Sequence, residues 1–249
     1  MKKILLILLT FLPLFFFGQK KEYETVITVA DLESIIRESN GPIDIKNTHI
    51  TNPTKPYFID GVLAGEQSTF KEIIAIDSTK ITFYNCKIDD LGFTESKNLN
   101  ITISRSEIGS LYIINSSVGI RINNSSINSW LSFENSDINN INFWDINTQQ
   151  DVSKAHIDLG SCNINKIHIS NMLSYFLRIG NSTIYDSSWF SRINTNHFQI
   201  QDNQFIGDSL LYRKTTWINN KHITTFDYIQ NYFPIMLNLS YSEIKILHI

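Results

Sequence analysis

Apolar side chains in this sequence recur every five residues. From Ile81 the apolar or small pairs, two residues apart, run Ile81/Phe83, Cys86/Ile88, Leu91/Phe93, Ser96/Asn98, Ile101/Ile103, Ser106/Ile108, Leu111/Ile113 and Ser116/Val118. One residue is lost before Ile120/Ile122 and Ser125/Ile127, then regained before Leu131/Phe133, Ser136/Ile138 and Ile141/Phe143. The register slips near Val152 and locks again at Ile157/Leu159, Cys162/Ile164, Ile167/Ile169, Leu177/Ile179 and Ser182/Ile184. Echoes occur at Ile43/Ile45 with Thr48/Ile50, at Phe198/Ile200 with Asn203/Phe205, and at Leu237/Leu239 with Ser242/Ile244. A helix would repeat at 3.6 residues and an ordinary strand at 2. A period of five fits a short strand with two inward side chains followed by a turn. Such units wind into a solenoid whose coils stack about 4.8 Å apart. Four fives make a coil of about twenty residues.

The first member of each pair alternates between large and small. With four faces per coil, small residues fall on two opposite faces and large ones on the other two, so the cross-section is expected to be oblong. Inward Ser hydroxyls should bond to neighbouring backbone, because a buried unpaired hydroxyl costs roughly 1–3 kcal/mol.

The small-then-large segments CKI (86–88), SEI (106–108), SSV (116–118), SDI (136–138), CNI (162–164) and STI (182–184) resemble those of the pentapeptide-repeat proteins. The resemblance covers residues 80–185 well and the rest patchily. It implies a right-handed, four-sided parallel β-helix. Alternate fives depart from the family by placing Ile or Leu where it usually has a small residue, which leaves a broader parallel β-helix of the pectin-lyase type as the alternative. The expected class is all-β, a right-handed parallel β-helix of about 20-residue coils with a short N-terminal capping helix.

That helix is expected within TVADLESIIRESNGP (28–42). Thr28 and Asp31 form a capping box, Leu32, Ile35 and Ile36 give an apolar face, and Asn40, Gly41 and Pro42 stop it. Residues 51–70, with Pro53, Pro56, Gly61 and Gly65, read as a loop or an irregular first coil. At the other end, MLNLSYSEIKILHI is in repeat phase. Either the aromatic stretch 206–234 folds back as a cap, or the final coil presents an open edge that recruits strands. The resemblance implies a homodimer through the C-terminal coil.

The first nineteen residues, MKKILLILLTFLPLFFFGQ, pair a basic start with an apolar run too short to span a bilayer. They read as a signal peptide cut near Gly18 or Gln19. Phe16 stands where a small residue is usual, so retention as an anchor is the alternative. The expected organisation is 1–19 signal peptide, 20–42 N-terminal segment with the helix, and 43–249 one solenoid domain, irregular at 51–70 and 206–234. The location is periplasmic, cell-surface or secreted, with no transmembrane span after cleavage.

Composition narrows the chemistry. Formal net charge is −3, or about −5 once Lys2 and Lys3 are removed, so no basic field exists for nucleic acid. It is also too weakly acidic for the topoisomerase-directed DNA mimics of the pentapeptide-repeat family, which are cytoplasmic. Roughly one residue in ten is Asn, which suits tight turns through its tolerance of left-handed backbone. An AT-rich genome would give the same enrichment. Cys86 and Cys162 fall in the same small inward slot nearly four coils apart, roughly 18 Å along the axis at strand spacing, beyond disulfide reach. Both are expected buried and free. His156 and Asp158 could reach a metal, but two ligands make no site, and neither metal nor cofactor is expected. No outward column gathers two or three carboxylates with a base, as glycoside chemistry requires, so no enzyme is expected. The outward column Tyr84, Ser104, Asn123, Trp144 offers two rings that could stack on sugars. These readings point to an exported, non-catalytic solenoid acting as a scaffold or protein-interaction module. The alternative is a carbohydrate-binding or carbohydrate-active β-helix.

Overall fold

The computed structural model describes residues 23–52, 54–59, 62–68, 71–147, 155–186 and 188–206. Beyond them it describes the strands 215–219, 222–229, 236–238 and 244–248. The chain is all-β, a parallel β-solenoid of about 7 turns with ~21-residue coils and one short helix near its N-terminus. The signal-peptide reading of residues 1–19 lies outside the described residues.

One broad side of the solenoid is built from β2 (Ile43–Lys46), β7 (Lys80–Tyr84) and β9 (Leu99–Ser104). It continues through parts of β11 (Ser117–Ile127), β13 (Asp137–Asn147), β15 (Asn163–Gly180) and β17 (Ser188–Gln201). Its inward column reads Ile43, Ile81, Ile101, Ile120, Ile141, Ile167, Ser188 in strict parallel register. The opposite broad side uses parts of β8 (Lys87–Thr94) and β10 (Glu107–Ile114), then β12 (Trp130–Glu134), β14 (His156–Gly160) and the ends of β15 and β17. Its inward column reads Leu91, Leu111, Leu131, Ile157, Leu177, Phe198. Large rings from the two sides meet in the interior, Phe133 with Phe143 at 6.5 Å between centroids and Phe190 with Phe198 at 5.2 Å. The narrow sides begin with small inward residues in the central coils (Cys86, Ser106, Ser125; Ser96, Ser116, Ser136), but the expected alternation fails later, where Ile146, Met172 and Ile193 fill one of these positions.

The corners show how the small residues work. Each is a single residue in left-handed conformation followed by one inward side chain. One corner column is Asn47, Asn85, Arg105, Asn124, Asp145, Asn171, Arg192; the other is Ala75, Glu95, Asn115, Asn135, Ser161, Asn181, Asp202. All have φ between 47° and 56°. Asn dominates because its short amide tolerates this region better than other side chains with a Cβ. The next residue faces inward, and where it is Ser its hydroxyl ties coils together. Ser106 Oγ donates to Ser104 O at 2.8 Å and accepts from Cys86 N at 3.0 Å. On the other column Ser116 Oγ donates to Ile114 O at 2.8 Å and accepts from Ser96 N at 3.0 Å. Ser182 takes the same role for Cys162 N at 3.1 Å.

Several expectations need correction. Cys86 and Cys162 are buried free thiols but do not share a slot. Cys86 stacks on Ser106 in one corner column, and Cys162 stacks on Ser182 in the other. Asn98 does not face inward; it is an exposed left-handed residue, and Leu99 fills the core instead. The irregular first coil holds an insertion: between β3 (Thr48–Thr51) and β6 (Glu72–Ile74), which pair with the two ends of β8, the strands β4 (Thr54–Ile59) and β5 (Val62–Ser68) form an antiparallel hairpin rather than a loop. Within 206–234 the described strands extend the sheet instead of folding back over its end. β19 (Thr215–Asn219) and β20 (His222–Ile229) both pair in parallel with β17, and β21 (Met236–Asn238) and β22 (Ile244–His248) stack on them in turn.

The N-terminal end follows its sequence signals. Helix α1 (Val29–Glu38) carries the full Thr28/Asp31 capping box and buries Val29, Leu32 and Ile36. Ile35 is 40% exposed rather than part of the packed face. An unanticipated strand, β1 (Thr25–Thr28), precedes the helix and pairs in parallel with β3 (Thr48–Thr51). Arg37 fastens the helix to the solenoid by donating to Ile74 O at 2.7 Å.

Candidate functional site

The register places Tyr84 and Trp144 in one outward column, Lys46, Tyr84, Ser104, Asn123, Trp144, Ser170, Ser191. Three coils separate the two rings, and their surroundings differ. Tyr84 is occupied by its neighbour: Arg105 Nη1 donates to its hydroxyl at 2.8 Å, and the guanidinium lies 5.5 Å from the ring centroid. Trp144 is 57% exposed.

Beside this column runs the left-handed corner, and two shallow recesses open along it. The first, about 290 Å³, is lined by Arg105, Glu107, Asn124, Asp145 and Asn147 among others. The second, about 360 Å³, shares Asp145 and Asn147 and adds Asn171, Arg192 and Asn194. The Asn171 amide donates to the Asp145 carboxylate. Glu107 lies against Tyr23, whose phenol is pushed up to about 12, first by burial and then by the Glu107 charge. Two carboxylates therefore share the first recess, a grouping that column-by-column reading missed because Glu107 and Asp145 stand in different columns.

Other clusters escaped the sequence for the same reason. His49 Nε2 lies 2.9 Å from Asp89 Oδ1, and Lys87 Nζ lies 3.5 Å from the same oxygen. His49 reaches Asp89 from the preceding coil, while Lys87 and Asp89 share β8. His156 does not join Asp158 in a ligand pair. Its ring stacks on Trp130 at 4.4 Å, with Phe176 at 5.8 Å and Tyr175 at 5.6 Å, while Asp158 pairs with Arg178 at 3.3 Å. Trp189 is 54% exposed on the column next to Trp144's, close to His168. Continuing the outward columns past the slip at residue 152 would have found it. Among the described residues no three His, Cys, Asp or Glu side chains are placed to hold a metal ion, and no helix is long and apolar enough to cross a membrane.

No protein-family model matches the chain, and neither a curated protein nor a solved structure does.

Proposed function

We propose that this protein is an exported, non-catalytic β-solenoid of pentapeptide-repeat-like construction that acts as a structural scaffold or interaction module. The observation that carries the reading is the filled interior. Side chains from the two broad sides meet at van der Waals range, and the narrow sides are closed by hydroxyl-to-backbone bonds in the central coils and by buried Ile146, Met172 and Ile193 in the later ones. Contact with other molecules then belongs to the outer faces and to the sheet edges. The signal-like N-terminus supports export to the periplasm, cell surface or medium. The clustered carboxylates are engaged by neighbours, Asp145 by Asn171 and Asp89 by His49 and Lys87, which suits surface contact better than proton transfer.

A homodimer is the first partner this reading names. β22 pairs with β20 along one edge, and a parallel edge of this kind accepts a further strand. Light scattering after size exclusion, over a range of concentrations, tests it. The full chain should show dimer mass, and deletion of 236–249 should return monomer mass. A monomer at every concentration would overturn self-association as the mode of action.

A further inference from the structure

Trp144 immediately precedes Asp145, which with Asn147 lines both corner recesses. We propose that Trp144 and this corner column form a binding site for a neutral, linear glycan that lies along the solenoid axis, with one sugar ring stacked on the indole. The proposal rests on the non-catalytic contact reading above and names its ligand class.

Three observations carry it. The indole is more than half exposed on a hydrogen-bonded strand, so its face is presented without a loop to order on binding. Polar side chains then follow one per coil: Asn124, Asp145, Asn171 and Arg192 occupy successive positions of the same corner. Coil spacing is about 4.8 Å, close to the length of one pyranose unit in an extended chain. Successive sugar rings would therefore meet successive amide, carboxylate and guanidinium groups. Charge selects against ionic ligands, because Arg105 and Arg192 are matched by Glu107 and Asp145 along the two recesses. Tyr84 is excluded as a second platform by Arg105. Trp189 stands in a different column, beside His168.

The test is calorimetric titration of the full chain with cellohexaose, mannohexaose and xylohexaose, and with hexagalacturonate as the charged comparator. At least one neutral hexaose should bind, and hexagalacturonate should bind more weakly. Trp144→Ala should weaken binding by about tenfold or more, while Trp189→Ala should stay within about twofold of wild type. Should Trp144→Ala melt early, Trp144→Tyr replaces it, and retained stacking should keep its affinity within about fivefold. Failure of all three neutral hexaoses to bind would overturn the site, as would undiminished binding by Trp144→Ala or tighter binding of hexagalacturonate. Release of new reducing ends from a bound hexaose would instead overturn the non-catalytic reading and support the site. Absence of binding leaves the module reading to the solution-mass experiment.

Discussion

Cys162 shows what the narrow interior layer imposes on one side chain. It is enclosed where neighbouring coils carry Ser, with its Sγ at 3.1 Å from Gly160 O. Burial pushes its pKa up to about 12, because the thiolate would lose its water. The unfolded thiol titrates near 8.5, so the folded pKa is raised. Stability from this group is fully present below the unfolded value and is lost as pH rises through the folded one. Two outcomes follow. A thiol-reactive disulfide reagent at neutral pH should leave Cys162 unlabelled until denaturant is added. Above roughly pH 9 the wild type should lose stability faster than Cys162→Ser. Prompt labelling of the native protein would contradict the burial.

At the scale of strands and corners, the inward Ser residues set how closely β10 and β11 approach their neighbours. Ser116 is 4% exposed, and its hydroxyl ties the end of β10 at Ile114 to the Ser96 corner of the neighbouring coil. Ser116→Leu has to displace that bonding and overfill the layer, at a cost of about 1–3 kcal/mol, read from a lowered thermal midpoint. An unchanged midpoint would show a layer with room to spare. The five-residue rhythm was legible because each pair owes its place to a strand the chain itself writes. Ile101/Ile103 and Leu111/Ile113 are all buried as the pattern requires. The pattern failed where turn chemistry changed the phase. Asn98 adopts left-handed backbone and hands its inward place to Leu99. Met172 and Ser174 are buried, but they follow the left-handed corner at Asn171 and fall between the pairs Ile167/Ile169 and Leu177/Ile179, in a strand that runs on to Gly180. The hairpin at 54–68 was hidden because its prolines and glycines read as turn signals, while its pairing is antiparallel and local.

For the whole molecule, columns matter more than neighbours in sequence. Tyr84 and Trp144 were placed in one column from the period alone. The recess beside them was not, because Glu107 and Asp145 reach it from different columns and different coils. His49 and Asp89, 40 residues apart, meet for the same reason. A closed interior makes the outer array rigid, and that rigidity is what a contact surface requires. In a solenoid each coil touches only its neighbours, so stability adds coil by coil. The most direct test is native-state amide hydrogen exchange on the central coils. The corner amides of Cys86, Ser96, Ser106 and Ser116, each bonded to a hydroxyl of the next coil, should be as protected as the strand amides of Ile103 and Ile113. Fast exchange at these corners beside protected strands would contradict a closed, rigid array.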